Sequence, residues 1–131
     1  MAKNILFVCI ENSCRSQMAE AFARFYGKGK IEAYSAGSKP ASKVDELAIL
    51  VMKERGIDIS HQKSKSFDNL PAEKFDIVVS MGCGEQCPFV PAKIRLEWDI
   101  PDSKGKSIDF FRKVRDEIER KIIALLQNIS H

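Results

Sequence analysis

Four cysteines fall into two groups whose neighbours suggest chemistry. The first group lies in Cys9-Ile-Glu-Asn-Ser-Cys-Arg15-Ser16, where a cysteine stands six residues ahead of an arginine. In a short loop of this kind at a helix start, the backbone N–H groups of Ile10, Glu11, Asn12, Ser13, Cys14, Arg15 and Ser16 curl around a tetrahedral oxyanion. The Arg15 guanidinium adds a planar, two-pronged donor that matches two of the anion's oxygens. The same positive surroundings favour the thiolate of Cys9, the form that acts as a nucleophile. Ser16 is placed to donate a hydrogen bond to that sulfur, and Asn12 tolerates the positive φ that a tight loop needs. On this reading Cys9 and Arg15 are catalytic, and residues 10–16 bind the oxyanion. The blander reading makes Cys9 a buried structural thiol and Arg15 an ordinary surface residue. Cys14, inside the loop, reads as an inert, inward-packed thiol.

The second group is Met81-Gly-Cys83-Gly-Glu-Gln-Cys87-Pro88, a Cys-x-x-x-Cys pair. In a reducing compartment such thiols are more often catalytic or metal-binding than structural disulfides. Zinc held by Cys83, Cys87 and His61 is one reading. Structural zinc wants four ligands, however, and this set offers three. No metal and no organic cofactor are therefore expected, and His61 reads as an ordinary loop residue.

These groups need elements to position them. Asn4-Ile-Leu-Phe-Val-Cys9 is a short, nearly continuous apolar run, the pattern of a strand buried on both faces of a parallel sheet. From Ser16 the period changes: Met18, Phe22 and Phe25 recur at helical spacing among alanines, and Gly27 and Gly29 end the helix. Ile31 to Ser35 reads as a second strand, followed by a turn at Gly37–Pro40. Ser42 reads as the cap of a helix that shows Val44, Leu47, Ala48 and Val51 on one face and closes at Gly56. Phe75–Ser80 and Lys93–Trp98 are the third and fourth strands. Ile108, Phe111, Val114, Ile118, Ile122 and Leu125 mark a last helix from about Ser107 to Gln127. Helix aromatics and Trp98 are expected in the core. Strands alternating with helices predict an α/β fold, a three-layer α/β/α arrangement around a four-stranded parallel sheet in the order 2-1-3-4. Ligands in such folds bind beyond the carboxyl ends of the strands, which is where Cys9, the segment 80–87 and the segment 98–102 should meet.

The 131 residues are expected to form a single domain, 1–131. Hydrophobic residues make up 44% and charged residues 30%, so the chain is of globular type. The net charge is only +3, and basic residues alternate with acidic ones, which argues against nucleic-acid binding. No apolar run reaches the ~18 residues of a membrane span, and the first residues lack a signal-peptide pattern. A cytoplasmic monomer is expected.

Val8-Cys-Ile-Glu-Asn-Ser-Cys-Arg-Ser-Gln-Met-Ala-Glu20 resembles the start of the low-molecular-weight protein tyrosine phosphatase fold, and more narrowly the thioredoxin-coupled arsenate reductases built on it. The resemblance continues through Ser35-Ala-Gly37, Asp58-Ile-Ser60, the third strand, and Trp98 to Asp102. It implies reduction of arsenate to arsenite, with phosphate and sulfate as competing oxyanions and thioredoxin or glutaredoxin as the reductant. Cys9 would attack arsenate and Asp102 would protonate the departing oxygen, with Asp99 the competing carboxylate. Cys83 would then attack the Cys9 sulfur, and Cys87 would take the disulfide over as Cys83–Cys87. A low-molecular-weight tyrosine phosphatase is the alternative activity. A non-catalytic oxyanion- or metal-binding protein is a third reading, which a Cys9→Ser comparison would expose. Two features depart from the family pattern: the pair is spaced Cys-x-x-x-Cys, and Asp102-Ser103 stands where Asp-Pro is usual. Some of these reductases also hold potassium with Asn, Glu, Ser and Asp. Asn12, Glu20 and Ser35 match the first three, while Lys65 stands at the fourth and would repel or replace the cation. The implied relay has a direct test. After a single turnover, Cys87→Ser protein should accumulate a Cys9–Cys83 disulfide visible by peptide mass spectrometry, and its absence would break this order of steps.

Overall fold

The computed structural model describes residues 3–71, 74–82 and 89–129. The apolar run near the start forms β1 (Lys3–Cys9), which leads into helix α1 (Arg15–Tyr26). Next come β2 (Ile31–Gly37), α2 (Glu46–Lys53) and a single 3-10 turn at Phe67–Asn69. Strands β3 (Phe75–Ser80) and β4 (Ala92–Glu97) and the long helix α3 (Ile108–Ile129) complete the order. The sheet is parallel throughout, in the order β2-β1-β3-β4 that the alternation of elements predicts. Its register pairs Cys9 with Gly37, Val8 with Ser80 and Ser80 with Glu97, so the carboxyl ends of all four strands share one edge.

Strand alternation divides the apolar side chains between two faces. Ile5, Phe7, Ile77 and Val79 meet Met18 and Phe22 of α1, Val51 of α2, and Phe111 and Ile118 of α3 in the main core. On the other face Leu6, Val8, Ala36, Phe75 and Val78 are backed by Phe67 and Leu70, at the 3-10 turn, and by Tyr34 and Val90. Phe7, Phe22 and Phe111 are fully buried, and each such ring stabilises the fold by about 1.5–3 kcal/mol on leaving water.

Two local expectations are corrected. The cap of α2 is Asp45, not Ser42: the Asp45 carboxylate accepts from Leu47 N at 2.9 Å. The helix begins later than its apolar pattern because the backbone is still extended at Asp45, whose N–H donates to Ser13 O at 3.0 Å and ties the helix entry to the loop after β1. Phe25 is 57% exposed and lies edge-on to the exposed Tyr26, since the last turn of α1 emerges into solvent. Trp98 is half-buried against Phe7, with Lys121 over its ring. Among the described residues, no helix is long and apolar enough to cross a membrane.

Ion pairs join α2 to α3. Arg115, nearly buried, donates to Val51 O at 2.9 Å and to Glu54 at 2.6 Å, and Arg112 donates to both Glu54 oxygens. These two guanidinium groups pull the Glu54 carboxyl from its ordinary 4.5 down to about 2. A depressed folded-state pKa contributes stability that is present above 4.5 and lost as the pH falls through about 2. Glu54→Gln should therefore melt below wild type at neutral pH, with the gap closing between pH 4.5 and 2 in thermal melts. A gap that stays constant over that window would show that the pair contributes nothing through ionisation.

Candidate active site

Cys9 is the last residue of β1 and Arg15 the first of α1, so strand and helix fix both ends of the intervening loop. Asn12 adopts φ 51°, among the described residues the one non-glycine with positive φ, as the tight curl requires. Its fully buried side chain holds that curl. Asn12 Nδ2 donates to Ser16 Oγ at 2.7 Å, while Asn12 Oδ1 accepts from Gln17 Nε2 at 2.8 Å and from Lys65 N at 2.7 Å. Ser16 Oγ lies 2.9 Å from Cys9 Sγ. Because that hydroxyl oxygen accepts from Asn12, its own hydrogen is available to the sulfur. Gln17 is locked in turn: its amide also reaches Lys63 O at 2.8 Å, and its carbonyl accepts from Gln62 at 2.6 Å.

The strand ends close around Arg15, which is only 7% exposed. Its Nη1 donates to Ile100 O at 3.0 Å, and its Nη2 lies 3.9 Å from the Asp102 carboxylate. From the other side the chain after β3 comes so near that a Cβ at Gly82 would sit 2.6 Å from Arg15 Nη1, and φ there is +80°. Gly37, at the end of β2, allows an equally close approach, since a Cβ would meet Ile10 O at 2.5 Å and Asn12 N at 2.8 Å. Glycine suits Gly37 because the loop backbone leaves no room for a Cβ, and Gly82 because of its positive φ.

Cys9, Ile10, Glu11, Ser13, Cys14, Arg15 and Asp102 line a cavity of about 70 Å³. Asn12 and Ser16 are buried behind its wall and act on the loop's shape. Asp102 is half-exposed, with one carboxylate oxygen accepting from Lys104 N at 3.0 Å, and Asp99 is exposed and off the cavity wall. Burial pushes the Cys14 thiol up to about 12, so it stays neutral, as an inward-packed thiol should. Cys83 and Cys87 lie outside the described residues, as does any contact they make. A larger cavity, about 640 Å³, lies far from these groups between Tyr26, Ile31 and the end of α3.

The residues that match a potassium site do not fit a bound cation here. The buried Glu20 carboxylate accepts from Ser35 at 2.7 Å and already faces two positive groups, Lys65 Nζ at 3.5 Å and Arg24 Nη1 at 3.4 Å. Asn12 Oδ1 has two N–H donors of its own. Among the described residues, no group of three or more His, Cys, Asp or Glu is arranged to hold a metal. Sequence reasoning passed over Gln17, Gln62 and Lys104. A glutamine two residues into an anion-loop helix was the one local signal, and its partners lie too far along the chain to be read.

Residues 4–131 match the profile of the low molecular weight phosphotyrosine protein phosphatase family. A "Glutaredoxin arsenate reductase" of Synechocystis sp. is 43% identical over 131 residues, covering 98% of this chain and 99% of the relative. A solved structure described as an arsenate reductase in the phosphate binding state superposes with a TM-score of 0.86 at 40% identity, covering 97% and 98% of the two chains. A thioredoxin-dependent arsenate reductase of Corynebacterium glutamicum superposes at 0.82 and 34% identity, over 98% of this chain and 62% of that one. With the loop, the sheet order and these likenesses in agreement, the chain belongs to the low-molecular-weight phosphotyrosine protein phosphatase family, among relatives named arsenate reductases.

Proposed function

We propose that the chain is an arsenate reductase acting in the cytoplasm, with electrons passed from a thiol carrier through Cys87, Cys83 and Cys9. The observation that carries this reading is the clasp at Arg15, because the glycine pressed against the guanidinium is the residue immediately before Cys83. The Cys9 thiolate attacks arsenate, forming a sulfur–arsenic bond as an arsenic–oxygen bond breaks, and Asp102 supplies the proton that lets that oxygen leave as water. Arg15 and the backbone N–H groups of the loop hold the remaining oxygens. The Cys83 thiolate then attacks the Cys9 sulfur. A disulfide forms, and the pair of electrons in the sulfur–arsenic bond passes to arsenic, which departs as arsenite. Attack by Cys87 on Cys83 releases Cys9 and leaves a Cys83–Cys87 disulfide for the carrier dithiol to reduce.

Two carriers have support: the Synechocystis relative is named for glutaredoxin and the Corynebacterium one for thioredoxin. The shared loop also supports a phosphatase reading, and some hydrolysis of aryl phosphates is expected from it. NADPH consumption with arsenate should be measured with thioredoxin and its reductase, and separately with glutaredoxin, glutathione and glutathione reductase. Wild type should turn over in one system, while Cys83→Ser and Cys87→Ser fall to background. Hydrolysis of p-nitrophenyl phosphate without turnover in either system would move the phosphatase reading ahead. Because Lys65 already faces Glu20, replacing sodium by potassium at constant ionic strength should leave kcat/KM for arsenate unchanged. A clear rise would show that a cation displaces the lysine.

A further inference from the structure

Asp102 sits on an irregular segment between β4 and α3, and its side chain is 52% exposed. A half-exposed carboxylate on such a segment has many orientations available, yet a proton donor must stand within hydrogen-bond reach of the departing oxygen. The 3.9 Å approach to Arg15 is too long to be a hydrogen bond and cannot fix the group. Lys104 does more. Its backbone N–H donates to Asp102 Oδ1 at 3.0 Å, and its side-chain ammonium forms an ion pair with Glu11 across the mouth of the cavity. The backbone that carries Glu11 is tied down, since its carbonyl oxygen accepts from Ala41 N and Ser64 Oγ, both at 2.9 Å, and the neighbouring Ile10 O accepts from Lys39 N at 2.8 Å. A glutamate on the wall of an oxyanion cavity would repel the ligand, unless an adjacent cation cancels its charge.

We propose that Lys104 is a positioning residue: its ion pair with Glu11 straps the Asp102 segment onto the anion loop and aims the carboxyl group at the oxygen that leaves. This rests on the reading of Asp102 as the acid. Two effects follow from cutting the strap, and they separate. Loss of aim slows the chemical step, whereas an uncompensated Glu11 weakens oxyanion binding.

The test is single-turnover arsenite release from pre-reduced protein, followed over a range of arsenate concentrations. Lys104→Met should lower the saturated rate about fivefold, since a small misplacement of a catalytic group is costly, and should raise the half-saturating arsenate concentration. The double variant Glu11→Gln/Lys104→Met should recover the half-saturating concentration while remaining slow. In an Asp102→Asn background, Lys104→Met should cause no further loss of rate, because its action runs through that carboxyl group. An unchanged saturated rate in Lys104→Met overturns the proposal. So does an equal loss in the Asp102→Asn background, which would mark a merely structural role. If Asp102→Asn alone keeps the wild-type rate, the acid assignment itself fails and takes the strap with it. That outcome is distinct from a slow Asp102→Asn beside a fully active Lys104→Met, which removes only the strap.

Discussion

The hydrogen bonds of one buried amide, that of Asn12, keep the anion loop curled, and the rest of the site is arranged around that curl. The loop curls only because Asn12 accepts a backbone conformation that most residues avoid. Its side chain then ties the turn to Ser16 ahead and to Gln17 and Lys65 alongside. Leaving one such buried partner unsatisfied costs about 1–3 kcal/mol, so the arrangement is hard to relax piecemeal. The same bonds set the direction of the Ser16 hydroxyl, and through it the environment of the Cys9 sulfur. The shape of the loop and the setting of the sulfur thus come from one network.

The parallel sheet supplies the second constraint. Because all four strands end at one edge, the chain leaving each of them borders the loop. Gly37 after β2 backs the loop at Ile10 and Asn12; Gly82 after β3 and Ile100 after β4 hold Arg15 from two sides. The guanidinium is thereby oriented before any ligand arrives, and the cost of ordering it is met during folding. The lack of a side chain at Gly37 and Gly82 is what allows backbone to come this close.

The loop alone does not distinguish hydrolysis from reduction. Both begin with a thiolate, an oxyanion cradle and a proton donor, and both are compatible with the geometry of Cys9, Arg15 and Asp102. What differs is whether a second thiol can reach the first sulfur before water reaches the bound anion. A buried carboxylate at Glu20 is balanced by Lys65 and Arg24, and an acid on the cavity wall at Glu11 is balanced by Lys104. In each case the balancing cation comes from the chain itself.

Much of this was legible in the linear order of residues. The apolar run before Cys9, the alanine-rich helix after Arg15 and the alternation of elements determine the strand order, because short-range periodicity reports burial and the parallel connections leave few topologies. Asn12 and Ser16 could be assigned because loop strain and a nucleophile's neighbour are local matters. The Asp45 cap, the exposure of Phe25 and the supporting roles of Gln17, Gln62 and Lys104 were decided only by tertiary structure. Gln17 meets Gln62 across 45 positions of sequence, and Glu11 meets Lys104 across 93. A polar side chain's partner at such separation depends on where two loops arrive after the sheet has formed, and no periodicity in the chain encodes that arrival. Residue type limits what a group can donate or accept, and only the folded backbone determines what stands within 3 Å to receive it.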